Sequence, residues 1–312
     1  MAKRIATLRS GVSYDGIGLL DSLARDTYVD YTAAYNEASK KYLARLEEKQ
    51  NVENYRSCIA ELQKLEPYER ALKMRALLMH AARNESQTML FAYDAAELDT
   101  ILSPLLPMAA EIMPGENTRL PQYYGDQMMI ELSSFNIEQF LNISSSMFER
   151  MVAKKIMDPE NYDLTAEEQE KIVEQFCVTK LDEIKKLQHG NMIYDFLLNV
   201  ISFCKAETFT DTYSYRSVTG FAVTEENTGK YGGDGFWFQN PGNEKLATIL
   251  KDCLAYNLLE KATTTQGKKD QQWSVFYLNR WLCAYAHLPL GHGGWRKLTL
   301  SKLNKWVEPA KK

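Results

Sequence analysis

Lys268, Lys269, Arg280, Arg296, Lys297, Lys302 and Lys305 are the side chains whose type and crowding point to chemistry, and that chemistry is contact with phosphate. They fall in residues 251–312, where eleven basic residues face four acidic ones for a net of +7. The whole chain carries −4, so residues 1–250 carry −11. Four of the five tryptophans (Trp273, Trp281, Trp295 and Trp306) share this stretch. A basic, aromatic end on an acidic chain is the electrostatic footprint of a nucleic-acid-binding surface. The overall acidity, with a pI near 5.7, suits the alternative, a subunit that docks a partner protein.

Other chemistries leave no comparable pattern. The run 229–235 contains Gly229-Lys230 but lacks the GxxxxGK[ST] spacing and a following helix, so it does not present successive amides to a phosphate. His80, His189, His287 and His292 are scattered, with no HExxH, no GxSxG and no Cys/His pairing. His292, between two glycines, is the one histidine expected in a loop. Five cysteines, Cys58, Cys177, Cys204, Cys253 and Cys283, are odd in number, far apart and free of CxxC pairs. They predict reduced, buried thiols rather than a disulfide framework or a metal centre. The expectation is a non-catalytic chain with no cofactor, no metal and no small-molecule substrate.

Composition bounds the setting. With 45% hydrophobic and 25% charged residues over 312, the chain can bury more than one core. The greasiest stretch, 100–113, is broken by Pro104 and Pro107 and is too short to span a bilayer. Met1-Ala2-Lys3-Arg4 leads into polar residues rather than an apolar signal core. A cytoplasmic protein without a membrane partner is expected.

The elements that must position the basic side chains begin with helices. Tyr28, Tyr31, Tyr35, Tyr42 and Leu46 follow one helical stripe to about residue 50. Helices are predicted over 52–65 and after Pro67 to 84, then over 93–113 in two pieces set by Pro104 and Pro107. Pro114-Gly115-Glu116-Asn117 predicts a turn. Asn136 is a predicted N-cap with Gln139 three residues on, and Thr165-Ala166-Glu167-Glu168 is a capping box. Residues 158–183 hold nine acidic against two basic residues, a solvated face or a dock for the basic end. Residues 192–204 are apolar almost all round, which predicts a buried helix.

Near residue 206 the texture turns to threonine, tyrosine and valine, and strands are predicted from 208 to 223. Residues 244–260 return to helix. Residues 262–265, 266–270 and 273–278 predict strand, polar turn and strand, with helical spacing an open alternative over 272–287. Lys268 and Lys269 sit at that hairpin tip, and Arg296, Lys297, Lys302 and Lys305 on the following glycine-containing loop and helix. The predicted fold is mostly α: a helical body over 1–205, then a small α+β winged-helix-like domain over 206–312.

Two stretches carry a resemblance. Tyr123-Tyr124-Gly125-Asp126 with the run from Glu131 to Leu141 resembles the lid of bacterial AAA+ ATPases of the origin-recognition type. Tyr277-Leu278-Asn279-Arg280 with Leu288-Pro289-Leu290-Gly291 resembles the end of the winged-helix domain of the same proteins. The resemblance covers roughly residues 120–312 and implies lid-like helices followed by a DNA-binding winged helix. It also suggests a setting in bacterial anti-phage or mobile-element systems. Two departures limit it: residues 1–120 hold no Walker A or Walker B segment, and Phe135 stands where a glycine is common. The resemblance therefore implies the C-terminal part of a larger ATPase, or a relative without the nucleotide-binding core.

Overall fold

The computed structural model describes residues 19–23, 29–86, 92–117, 119–134, 136–212, 217–224, 241–265, 272–291 and 293–308. Tyr28, Phe135, Lys268, Lys269, His292 and the stretch 225–240 lie outside the described residues. In chain order the first helices are α1 (Leu19–Leu23), α2 (Thr32–Glu47), α3 (Arg56–Leu62), α4 (Pro67–Arg83), α5 (Leu98–Leu102) and α6 (Leu106–Glu116). Then come α7 (Asp126–Leu132), α8 (Ile137–Met157), α9 (Ala166–Ile184) and α10 (Gly190–Thr208). The C-terminal part runs β1 (Val218–Thr224), α11 (Glu244–Ala255), β2 (Leu259–Thr265), β3 (Gln272–Leu278), α12 (Arg280–Tyr285), β4 (Gly294–Thr299) and α13 (Leu300–Val307). The chain is thus mostly helical with one small sheet near its C-terminal end, as the sequence predicts. No helix among the described residues is long and apolar enough to cross a membrane.

By contact the chain forms two compact units, one of residues 28–122 with 207–217, the other of 1–27, 123–206 and 218–312. The change of composition near residue 206 marks the approach to the sheet, yet residues 123–206 and 218–312 share one unit.

In the helical unit, α2 packs on α4 and α4 on α6. Tyr42 and Leu46 of the predicted stripe are fully buried, and Tyr31 and Tyr35 flank the same core. Pro67 stands at the first position of α4, where its missing N–H costs nothing. Pro104 falls in the break between α5 and α6, as expected. The turn predicted at 114–117 is instead the last turn of α6, which runs through Pro114 to Glu116. The reason is tertiary. The Glu116 carboxylate accepts from Arg75 Nε at 2.8 Å and Arg45 Nη1 at 3.2 Å, while Lys41 Nζ donates to its carbonyl at 2.7 Å. Charge pairing at this helix end outweighs a local turn signal. Asp211, which ion-pairs with Arg45 and with Lys49 at 2.7 Å, joins the same cluster. Burial raises the Asp211 pKa, but hydrogen bonds from Lys49 and Arg45 prevail and hold it below the ordinary aspartate range.

In the second unit both predicted caps form. Asn136 Oδ1 accepts from the Glu138 and Gln139 amides at 2.9 and 3.3 Å. Thr165 and Glu168 exchange reciprocal bonds of 3.2 and 3.0 Å. Helix α10 buries Ile193, Phe196, Leu197, Val200 and Cys204, but it extends to Thr208, where strand was expected, and the first strand among the described residues is Val218–Thr224.

The sheet order is β2-β3-β1-β4, with β2/β3 and β1/β3 antiparallel and β1/β4 parallel. Residues 272–278 are strand, which settles the helical alternative there, while 280–285 are helix. Gly220 sits opposite Tyr277 in the β1/β3 ladder. A Cβ there would lie 2.6 Å from the Tyr277 ring and 2.8 Å from the Phe276 carbonyl, so only glycine lets these strands close. One face of the sheet carries Phe221 stacked on Phe276 at 5.5 Å, with Phe196 of α10 6.4 Å from Phe221. The other face carries Ala222, Trp273, Val275 and Tyr277, joined by Ala262 and Trp295.

Candidate nucleic-acid interface

Among the described residues, Arg280, Arg296 and Lys297 do not present their charges on one surface. Lys268 and Lys269 lie outside the described residues. Arg280 opens α12, where Asn279 caps the helix by accepting from the Trp281 amide at 3.3 Å. Its guanidinium turns back to donate to the Glu131 carbonyl at 3.0 Å, and its own amide meets Ser134 Oγ. Arg280 therefore ties α12 to the end of α7, at the negative pole of that helix.

Arg296 and Lys297 lie on strand β4 rather than on the loop the sequence suggested. Alternate strand residues point to opposite faces, so these neighbours cannot present their charges together. Arg296 pairs in register with Phe221 and Lys297 with Ala222. Lys297 projects on the Trp273 face, its Nζ 4.4 Å from the Trp273 ring centre, a cation–π contact. Trp295 lies 5.2 Å from Trp273 and is half-buried, a flank of the aromatic cluster. Half-buried Arg296 donates to the Trp295 carbonyl at 3.3 Å.

Lys302 and Lys305 are exposed on α13, which Thr299 caps by accepting from the Lys302 amide at 3.3 Å. Lys302 Nζ stands 4.8 Å from the Phe203 ring and 5.5 Å from the Trp306 ring. Exposed Lys302 thus covers aromatic surface while keeping its head toward water, which is how long basic side chains flank an apolar face.

Helix α11 supplies two further cations. It buries Leu246, Ala247, Ile249, Leu250 and Cys253, and so turns Lys245, Thr248 and Lys251 outward. Glu244 accepts from the Gly242 amide at 2.9 Å, and Asp252 meets His189 Nδ1 at 2.9 Å. Both carboxylates are thus engaged locally, and Lys245 and Lys251 make no ion pair among the described residues. The amphipathic period of 244–260 gives this face away in the sequence; what hides it there is that the two lysines alternate with acidic residues.

The buried cysteines are inert. Burial pushes the Cys177 and Cys283 thiols up to about 12. Away from the sheet, Glu170, Glu174 and His287 bring three ligand-type atoms within 4.8 Å of one another. Burial holds His287 below the ordinary histidine range; Glu174 acts against that shift and Lys205 adds to it.

A helical unit joined in one chain to a small mixed sheet with capped helices and surface cations defines a class of helical proteins ending in an α+β module. Comparison makes this specific: the ORC-CDC6-like family model matches residues 14–298, and the chain belongs to that family. The match takes in the helical unit as well as the stretch from residue 120 that carries the resemblance, and it supports an AAA+ relationship of the origin-recognition type. No curated protein and no solved structure matches the chain.

Proposed function

We propose that this chain is a non-catalytic binding subunit that contacts duplex DNA through its C-terminal α+β module. The observation that carries this reading is the order α10, β1, α11, β2, β3, with β1 paired to the second strand of the hairpin. In this reading that order is part of a winged helix, a helix-turn-helix relative that lays one helix in the major groove, with α11 the one helix between β1 and β2 among the described residues. In this reading α11 is the recognition helix, Lys245 and Lys251 face the phosphates, and Lys268 and Lys269, which lie between β2 and β3 in the sequence, add further phosphate contacts. The net charge of +7 over residues 251–312 supports it. Bacterial anti-phage or mobile-element systems are the context it fits. Use of Arg280 between two helices, and of Lys297 and Lys302 over aromatic rings, favours the second reading, in which the same module docks a protein.

Retention on a DNA column separates the two. Phosphate contacts release counterions, so affinity is expected to fall linearly with the logarithm of salt concentration. Failure to bind duplex DNA at low salt would leave the protein-docking reading. For nucleotide, calorimetry with ATP and magnesium is expected to register no heat, since the sequence offers no phosphate loop. Micromolar ATP affinity would overturn the non-catalytic reading and leave the DNA reading standing.

A further inference from the structure

We propose that Glu170, Glu174 and His287 form a binding site for a divalent transition metal ion, with zinc the best fit. The two glutamates stand four residues apart on α9 and so share one face of that helix. His287 comes from the turn directly after α12, and α9 and α12 pack against each other. One ligand atom from each residue lies within 4.8 Å of the other two. Ligands at about 2.1 Å from a shared ion stand roughly 3–3.5 Å apart, so small side-chain rotations close the set.

The backbone holding the imidazole is already fixed. The His287 amide donates to the Ala284 carbonyl at 3.0 Å and the Leu288 amide to the Cys283 carbonyl at 2.9 Å. Tyr123, almost fully buried, donates its hydroxyl to the Leu288 carbonyl at 2.7 Å. A ligand anchored from behind in this way gives up little entropy on binding.

The chemistry selects the ion. Two carboxylates balance a divalent charge. An imidazole nitrogen disfavours magnesium and calcium, which take oxygen donors, and favours zinc and its neighbours. Three protein ligands leave a fourth position for water. The ion would clip α9 to the chain leaving α12, bracing the turn that leads into β4.

Titration of the metal-free full chain with zinc chloride in a calorimeter tests this. One saturable site per chain of micromolar or tighter affinity is expected, together with a zinc-dependent rise in Tm. Glu174 is exposed, so Glu174→Gln keeps the fold and is expected to weaken zinc at least about tenfold. His287 has φ +55°, a conformation asparagine tolerates, so His287→Asn is expected to fold and to weaken binding similarly. His189→Ala, which removes the histidine paired with Asp252, is expected to bind zinc like the wild type. Absence of saturable binding, or binding that survives both Glu174→Gln and His287→Asn, overturns the proposal.

Discussion

Replacing Arg75 with alanine is expected to destabilise the helical unit by about 3–5 kcal/mol, the cost of stranding a buried charge. Arg75 is fully buried, and the Glu116 side chain facing it is 3% exposed. The pair is bidentate, with Nε 2.8 Å from Oε2 and Nη2 3.2 Å from Oε1, and Nη2 also donates to the Thr210 carbonyl at 3.0 Å. Deleting the guanidinium leaves Glu116 with Arg45 alone, leaves the Thr210 carbonyl without this donor, and opens a cavity beside Tyr42, whose ring centre lies 5.7 Å from the Arg75 guanidinium. Urea denaturation followed by far-UV circular dichroism measures the loss. A loss below about 1 kcal/mol, the range of exposed ion pairs, would show the cluster to be solvated rather than buried. Arg75→Met combined with Glu116→Leu removes both charges at similar volume. It is expected to be more stable than Arg75→Ala, because neither charge remains to be desolvated alone.

That same cluster shows where sequence reading stops. Thr165 with Glu168, and Asn136 with the amides after it, are contacts within three residues, so their identities suffice to predict them. The hairpin of β2 and β3 is legible for the same reason: a polar turn separates two runs of strand formers. At Glu116 the local signal, Pro114-Gly115, points to a turn, while the deciding partners lie on α2 and α4. Distance along the chain also hides the cluster of Glu170, Glu174 and His287, since the two glutamates are visible as a helical pair but His287 reaches them only through the packing of α12 on α9.

The cationic residues were legible in number and not in arrangement. Crowding in the sequence groups Arg296 with Lys297, whereas strand alternation sends them to opposite faces of the sheet. Arg280 belongs to the same basic stretch, yet its charge is turned to the Glu131 carbonyl. In the sequence nothing local sets Lys245 and Lys251 apart, because Glu244 and Asp252 stand beside them. Only the folded partners, Gly242 and His189, show that those carboxylates are occupied.

Reversing Lys245 and Lys251 to glutamate is therefore the substitution expected to cost most in DNA affinity. If each lysine neutralises one phosphate, losing both removes a factor on the order of 50 at 0.1 M salt, from a slope of about 0.9 per contact. The salt dependence is expected to flatten by about two units, uniformly across DNA sequences, because phosphate contacts carry no base information. Both side chains are exposed on α11, so the core residues Leu246, Ile249 and Leu250 are untouched. A glutamate at 245 lies in the first turn of the helix, where the dipole favours it, and one at 251 lies nearer the other end, where the penalty is a few tenths of a kcal/mol. Circular dichroism is expected to match the wild type. Fluorescence anisotropy with a labelled duplex over a series of salt concentrations reads both the affinity and the slope. Lys268→Glu with Lys269→Glu, between β2 and β3 in the sequence, is expected to act in the same direction and to add to the first pair. If wild type binds duplex DNA and the Lys245/Lys251 variant binds it equally well with the same slope, α11 is not the groove-facing helix. The module must then meet DNA through another face, with Lys297 beside the Trp273 and Trp295 cluster the first to test.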